Sequence, residues 1–566
     1  MKKTDSNNLM EQDIWQRLLA HRDTMGHCHI REFFASDPER ATRYSIEDAG
    51  LFVDYSKHQV TDETFSLLYE LAQAAQLPSK ISALFNGGML NTTENRPALH
   101  TALRSFSDTA LIVDGQNVRE DVINMRHKMK SFVNDVIDKK WLGFTRKPIT
   151  DIVNIGIGGS YLGPKMVCKA LTPYAKTGLT IHFLSHLDAD QFESIVGSLN
   201  PETTLFIVST KSGSTQETMM NAKSARSWFL SKGGYYTAMA QHFVAVTSNC
   251  HHFAEFGIPP QNCFPIWPWV GGRYSLWGAT GLPIALAIGY DHFERLLRGG
   301  QAMDEHFCNQ SLSENIPVIL AMLGIWYINF FDSNAHLIAP YDHLLRDFPN
   351  HLQQVEMESN GKQATIGGSK IVYPTVPVIW GESGLEGQHA YFQVLHQGSP
   401  LIPVDFIASL SNHSPNAAHQ QLLLANCFAQ SEAMMMGRTE SESRLFLKNK
   451  GFSEEDIESL IAHYIFEGNR PSTTILVDML TPETLGALIA LYEHKVFVQS
   501  VIWQTNPFDQ MGVELGKALS QQIATELRQG RILTEHDSST NQLILKYLQQ
   551  NPVTRPIKAT EQTQSE

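Results

Sequence analysis

Ile152-Val-Asn154-Ile-Gly156-Ile-Gly158-Gly159-Ser160 is an apolar run that empties into glycines, and a helix-like segment follows it. A buried strand that ends in a glycine turn before a helix reads as one strand–helix unit. Outward from it the alternation repeats: Leu179 to Leu184, Thr204 to Ser209 and Phe243 to Val246 are short apolar runs separated by helix-like stretches. Such repetition predicts a mostly parallel sheet, whose strands are covered on both faces and need a crossover between neighbours. A second set begins near Ile371, with Val376 to Trp380 and Leu401 to Ile407, followed by helical residues Ala417 to Met436. Two α/β domains are therefore expected.

The flanks read differently. Residues from about 12 to 110 carry helical spacing, as in Phe65, Leu67, Leu68, Leu71 and Ala72, interrupted by turn-formers such as Asn86-Gly87-Gly88. The longest apolar stretch, Pro317 to Phe331, is shorter than the roughly 20 residues that span a bilayer and reads as a buried helix. After about Leu548 the chain is polar and contains Pro552 and Pro556, which predicts a loosely ordered tail. The 566 residues exceed what one hydrophobic core organises, and 42% hydrophobic with 18% charged residues excludes wholesale disorder.

A formal net charge of −14 argues against broad binding to nucleic acid or to a membrane surface, so an anionic substrate would need a local positive pocket. The six cysteines are scattered without a CxxC pair, which predicts reduced thiols. Met1 to Trp15 is polar and lacks the apolar core of a secretory signal, so a cytoplasmic location is expected.

The glycines of Asn154 to Ser160 let backbone N–H groups approach an anion near a helix start. Tyr161 breaks the dinucleotide pattern and Pro164 after Gly163 breaks the Walker pattern, leaving an ordinary strand-to-helix turn as the plain alternative. The next such loop, Ser209-Thr210-Lys211-Ser212-Gly213-Ser214-Thr215, gathers five hydroxyls and one ammonium before a helix that begins near Gln216. N-capping would use one hydroxyl, not five, so this loop points to an anion.

Three further segments carry acid–base groups. Gln353-Gln-Val-Glu-Met-Glu358-Ser-Asn-Gly-Lys362 places a carboxylate beside turn-forming residues, where a solvated charge is the alternative. His389 ends the glycine-rich segment Gly381 to His389; it can accept and donate a proton near neutrality, or make a local hydrogen bond. Trp269-Val-Gly-Gly272-Arg273-Tyr-Ser-Leu-Trp277 puts a guanidinium after two glycines, aimed at an oxyanion or used in a surface salt bridge. His27-Cys28-His29 and His251-His252 lack the spacing and the full ligand set of a zinc site, so no metal is expected.

Together these segments resemble the glucose-6-phosphate isomerase family, built from two sugar-isomerase (SIS) domains. The resemblance covers most of the chain in order. It includes Phe85-Asn-Gly, Asn91 to Arg104, Gly156 to Ser160, Thr210 to Thr218, Trp269 to Trp277, Met357 to Lys362, Gly387 to Gly398 and Phe508 to Lys517. It implies two SIS-type doubly wound domains with mostly parallel sheets and surrounding helices. The smaller would span 121–295 and the larger 296–515, with a helical segment 1–120 packed on the larger and a helical arm with a polar tail over 516–566.

The resemblance also implies an activity: reversible conversion of glucose 6-phosphate and fructose 6-phosphate, a step of glycolysis and gluconeogenesis, through ring opening and a cis-enediolate, without a cofactor. Glu358 would move the proton, Arg273 would stabilise the enediolate, and His389 and Lys517 would assist ring opening. Ser160, Thr210, Lys211, Ser212 and Thr215 resemble the phosphate cradle, and Gly159, Gly272, Gln354 and Gln510 match other substrate contacts. A homodimer is implied, with His389 given to the partner subunit's site. The sequence departs from the family pattern at Tyr161, Pro268, Leu385-Glu386, Pro507 and Met511.

Overall fold

The structure is a computed structural model and describes residues 9–175 and 177–552. They fall into two compact units, divided after Phe508.

In the first unit the opening segment is helical over Asp13–Met25 and Asp62–Ala74, as its spacing predicts. Between these helices lies an antiparallel hairpin that the helical reading did not anticipate, β1 (Ser45–Asp48) and β2 (Leu51–Lys57). Its two-residue turn, Ala49-Gly50, has φ of +50° and +76°, the left-handed pair that matches the twist of the flanking strands. Leu51, Val53 and Tyr55 point into the core from alternate positions of β2, the period of a strand and not of a helix.

The first parallel sheet comprises β3 (Asp151–Ile155), β4 (Thr180–Leu184), β5 (Thr204–Ser209), β6 (Phe243–Thr247) and β7 (Cys263–Pro265). Its spatial order is β4-β3-β5-β6-β7, every pair parallel. Alternate residues serve opposite faces. Ile152, Leu205, Ile207, Val244 and Val246 enter the main core, whereas Val153, Ile155, Phe206, Val208, Phe243 and Ala245 enter a smaller core beneath the helix Gln216–Ser231.

The second sheet repeats that winding with β8 (Ala335–Tyr341), β9 (Val378–Trp380), β10 (Val404–Ser409) and β11 (Ser472–Val477), in the order β9-β8-β10-β11. These four are parallel, and β2 then joins the free edge of β11 antiparallel, with β1 outermost. Strands β9 and β10 start later than their apolar runs because Pro377 and Pro403 have no N–H to give a ladder. Ile338, Ile407 and Ile475 turn toward the same main core that the first sheet faces, so one apolar interior serves both sheets. The α/β class with two doubly wound, mostly parallel sheets is thus what the chain adopts.

Helix Pro482–Ile502 runs through that interior. By length and composition it is apolar enough to cross a membrane, yet 94% of its apolar window is buried inside the protein. The stretch expected as one buried helix, Pro317 to Phe331, is an α-helix over Ile316–Ile325 that continues as a π-turn through Trp326–Phe330.

The second unit holds the helices Glu514–Gln529 and Ser538–Gln550. Buried Glu526 ties the connection between them, accepting from the backbone N–H of Leu533 and Thr534 and pairing with His536. The last helix extends two residues past Leu548, and the rest of the expected tail, 553–566, lies outside the described residues.

Candidate active site

In the order β4-β3-β5, the chain leaves β3 and β5 toward opposite sides, which makes their carboxyl ends the topological switch point where α/β sheets bind ligands. Strand β3 delivers Gly156–Ser160 to this crevice and β5 delivers Thr210–Thr215. Asn154, buried on β3, donates from Nδ2 to the Ser160 carbonyl at 3.0 Å and fixes the first loop. A Cβ on Gly159 would lie 1.9 Å from the carbonyl oxygen of Gly272, so the two turns cross backbone to backbone and only glycine fits. That crossing sets Arg273, the next residue, beside the first loop.

In the second loop Thr210 is buried and its Oγ1 bonds Thr215 Oγ1 at 3.0 Å. Thr215 stands at the N-cap of Gln216–Ser231 but gives no capping bond, so the first-turn amides are not claimed by this hydroxyl. Ser212 is exposed and accepts from Ser214 Oγ at 2.8 Å. Lys211 turns away from the hydroxyls and donates to the carbonyls of Pro268 and Val270 at 2.9 and 2.8 Å. Burial, reinforced by the nearby Arg96 cation, pushes its pKa down to about 8. Around the loops Ser209 Oγ, Thr218 Oγ1 and Gln354 Oε1 are buried without a hydrogen-bond partner among the described residues, polar capacity of the kind a ligand fills.

Glu358 closes a π-turn, Gln353–Glu358, a geometry that is rare and recurs at functional sites. Its Oε2 accepts from Gln354 Nε2 at 2.9 Å and lies 3.4 Å from Arg273 Nη1. The carboxylate side chain is 23% exposed whereas that of Arg273 is 1% exposed, so the acid faces solvent and the cation lies behind it. Arg273 is held by Ser359 Oγ at 2.7 Å and by the Pro507 carbonyl. Gln354 Nε2 faces Gly158, which brings the π-turn against the first loop.

Sequence reading missed the supports of this turn. Ser359 steadies Arg273, and Asn360 ties the turn to the core helix by donating to the Val496 carbonyl at 3.0 Å. Behind Glu358, Glu356 takes two hydrogen bonds from Lys495 at 2.7 and 2.9 Å, with both side chains 1% exposed. A signal existed, since Glu493-His494-Lys495 sets three polar residues inside an otherwise apolar helix.

The remaining candidates stand apart. His389 is the exposed C-terminal neighbour of the short helix Gly384–Gln388, and its N–H donates to the Glu386 carbonyl. Among the described residues its imidazole has no hydrogen-bond partner. Lys517 lies in the second unit on Glu514–Gln529, paired with Glu514 at 2.8 Å, and Gln510 precedes the turn Met511–Val513. His29 caps the helix Ile30–Ser36, a local role.

A switch-point crevice with clustered hydroxyls, next to a carboxylate–guanidinium pair, places the chain among α/β phosphosugar isomerases. The pattern of the family described as Phosphoglucose isomerase matches residues 54–544. The chain belongs to that family. It is 51% identical over 545 residues to glucose-6-phosphate isomerase 1 of Chromobacterium violaceum, covering 96% of this chain and all of that one. The glucose-6-phosphate isomerase of Shewanella oneidensis is 50% identical over 539 residues, 95% of this chain and 98% of its own. The crystal structure of a glucose-6-phosphate isomerase from Chlamydia trachomatis superposes with a TM-score of 0.82 at 30% identity, covering 96% of this chain and 100% of that one.

Proposed function

We propose that the chain interconverts glucose 6-phosphate and fructose 6-phosphate by moving a proton between carbons 1 and 2. The observation that carries this is the Glu358 carboxylate, open to the crevice and 3.4 Å from the buried Arg273 guanidinium. On the open-chain aldose, Glu358 removes the proton from carbon 2 and the electron pair moves to the carbonyl oxygen on carbon 1. The resulting enediolate carries negative charge that Arg273, preorganised by Ser359 and Pro507, offsets. Glu358 then returns its proton to carbon 1 while the proton on the carbon-2 oxygen passes to the carbon-1 oxygen, leaving a hydroxyl on carbon 1 and the new carbonyl on carbon 2. Atoms and electrons balance within the substrate.

Ser160, Thr210, Lys211, Ser212 and Thr215 hold the phosphate, and Gly159, Gly272, Gln354 and Gln510 complete the substrate contacts. His389 and Lys517 handle the protons of ring opening. The exposed, unbonded imidazole of His389 fits delivery to the partner subunit's site in a homodimer. The layout behind these roles is a smaller domain over 121–295, a larger one over 296–515, the opening segment 1–120 and an arm from 516, in a cytoplasmic protein.

The test is a coupled assay on fructose 6-phosphate with chelator present, for the wild type and Glu358→Gln. Turnover in the wild type and a loss of about a hundred- to ten-thousand-fold or more in the variant, with sugar-phosphate binding retained, supports the assignment. Unchanged proton exchange at carbon 2 in Glu358→Gln would sink it. Binding without turnover in the wild type would instead mark a sugar-phosphate sensor.

A further inference from the structure

Away from that crevice, the segment after Arg104 and the start of helix Val118–Ile137 border an open cavity of about 140 Å³, lined among others by Ser105, Phe106, Ser107, Asp108, Arg119 and Arg126. Arg126 is 8% exposed, and its Nη1 and Nη2 donate to the carbonyls of Ser105 at 3.0 Å and Leu103 at 2.6 Å. Its Nε is buried without a partner. Arg119 donates from Nη1 to Ser105 Oγ, and among the described residues its Nε, like that of Arg126, is buried without a partner. Neither guanidinium forms an ion pair with a carboxylate among the described residues. Arg298, which also lies over the Phe106 ring, is by contrast matched by Glu294 at 2.7 Å.

A guanidinium buried like Arg126, with no carboxylate bonded to it, is costly unless something supplies the charge, and half-buried Arg119 adds a second positive charge at its side. Burial pushes the Arg126 pKa down to about 10 against the partial pull of Tyr290 and Glu294, so the group still carries its proton at neutral pH. Two neighbouring guanidinium groups without a bonded carboxylate, with the hydroxyls of Ser105 and Ser107, suit a dianion with several acceptor oxygens better than a single carboxylate. The volume admits a phosphate group and little more.

We propose that this cavity binds a phosphate group on Arg119 and Arg126, carried by inorganic phosphate or by the phosphomonoester end of a small metabolite. It is a second anion site, built on residues distinct from those of the isomerase crevice.

The experiment is calorimetric titration of the full-length protein with inorganic phosphate, and separately with glycerol 3-phosphate, for the wild type and Arg119→Met. Arg119 is partly exposed, so Arg119→Met is expected to keep the fold, which an unchanged thermal transition would show. The wild type should take up two equivalents per chain, one at each site. In Arg119→Met one of the two should weaken about tenfold or more while kcat for fructose 6-phosphate stays at the wild-type value. Arg126→Met provides a second reading wherever it folds, with the same loss expected. Tighter uptake of glycerol 3-phosphate than of phosphate at the lost site assigns it to a metabolite, and the reverse to the free anion. Equal stoichiometry and affinity in the wild type and Arg119→Met overturns the proposal.

Discussion

Lys211 commits its ammonium to two carbonyl oxygens, those of Pro268 and Val270, and so braces one wall of the crevice while lending it charge. With its pKa near 8, the folded protein favours the neutral amine relative to the unfolded chain, which holds the proton up to the ordinary lysine value of 10.5. Between these two values the unfolded chain binds more protons, so stability should rise with pH through that window. Affinity for the phosphorylated substrate should do the opposite. KM for fructose 6-phosphate is expected to climb above about pH 8 in the wild type and to be raised and nearly flat in Lys211→Met, as initial rates from pH 7 to 9 would show. Pro268 and Pro507, two departures from the family pattern, act only through carbonyl oxygens that any residue would supply. Pro507→Ala should therefore leave kcat and KM at the wild-type level, and a large loss of kcat would contradict this reading of the Arg273 contact.

The elements that hold Glu358 show why its neighbourhood was only partly legible. Strands β3, β5 and β6 were readable because strands buried on both faces are apolar without interruption. The hydroxyl loop was readable because five such side chains before a helix exceed the needs of a cap. The direction taken by Lys211 was not, since it follows from where Pro268 and Val270 fall in space. Nor was β2, whose turn Ala49-Gly50 lacks the Asn-Gly signal and whose strand is bounded by helices. A π-turn has no periodicity of its own, and Gln353–Glu358 emerges only with its anchor, the Lys495–Glu356 pair.

That pair yields a prediction. Lys495→Met strands a buried carboxylate and should cost roughly 3–5 kcal/mol in thermal or urea unfolding. Adding Glu356→Leu should recover much of the stability but not kcat, because the anchor of the turn is gone while the phosphate contacts, and hence KM, persist. Gly159→Ala attacks the same geometry from the other side. Its Cβ would force the crossing with Gly272 apart, and kcat should fall with little recovery at high substrate.

At the scale of the whole molecule, the inner faces of the two sheets share one apolar interior threaded by Pro482–Ile502. Sequence periodicity reports which residues are buried, not which strands bury them together. The exposed His389, with large apolar side chains such as Leu422 (67% exposed) and Leu515 (71% exposed) at the surface, is what an assembling chain would present. If each site takes its histidine from the partner subunit, mixing Glu358→Gln with His389→Asn chains under reassorting conditions should restore about a quarter of wild-type activity, because half of the dimers are mixed and one of their two sites is intact. Two inactive parents that stay inactive when shown to exchange would place His389 in its own chain's site.

The hairpin that closes the second sheet gives biosynthesis a schedule. His58, just past β2, bonds Thr473 of β11 across 415 residues of sequence, and in the folded sheet β2 takes β11 as its partner on that edge. At ribosomal speed the wait is on the order of tens of seconds, long enough for Asp151–Pro265 to fold while the hairpin still offers its ladder to any passing strand. Nascent chains stalled before Ser472 should accordingly be protease-resistant over the first sheet and dependent on a chaperone at their amino-terminal end.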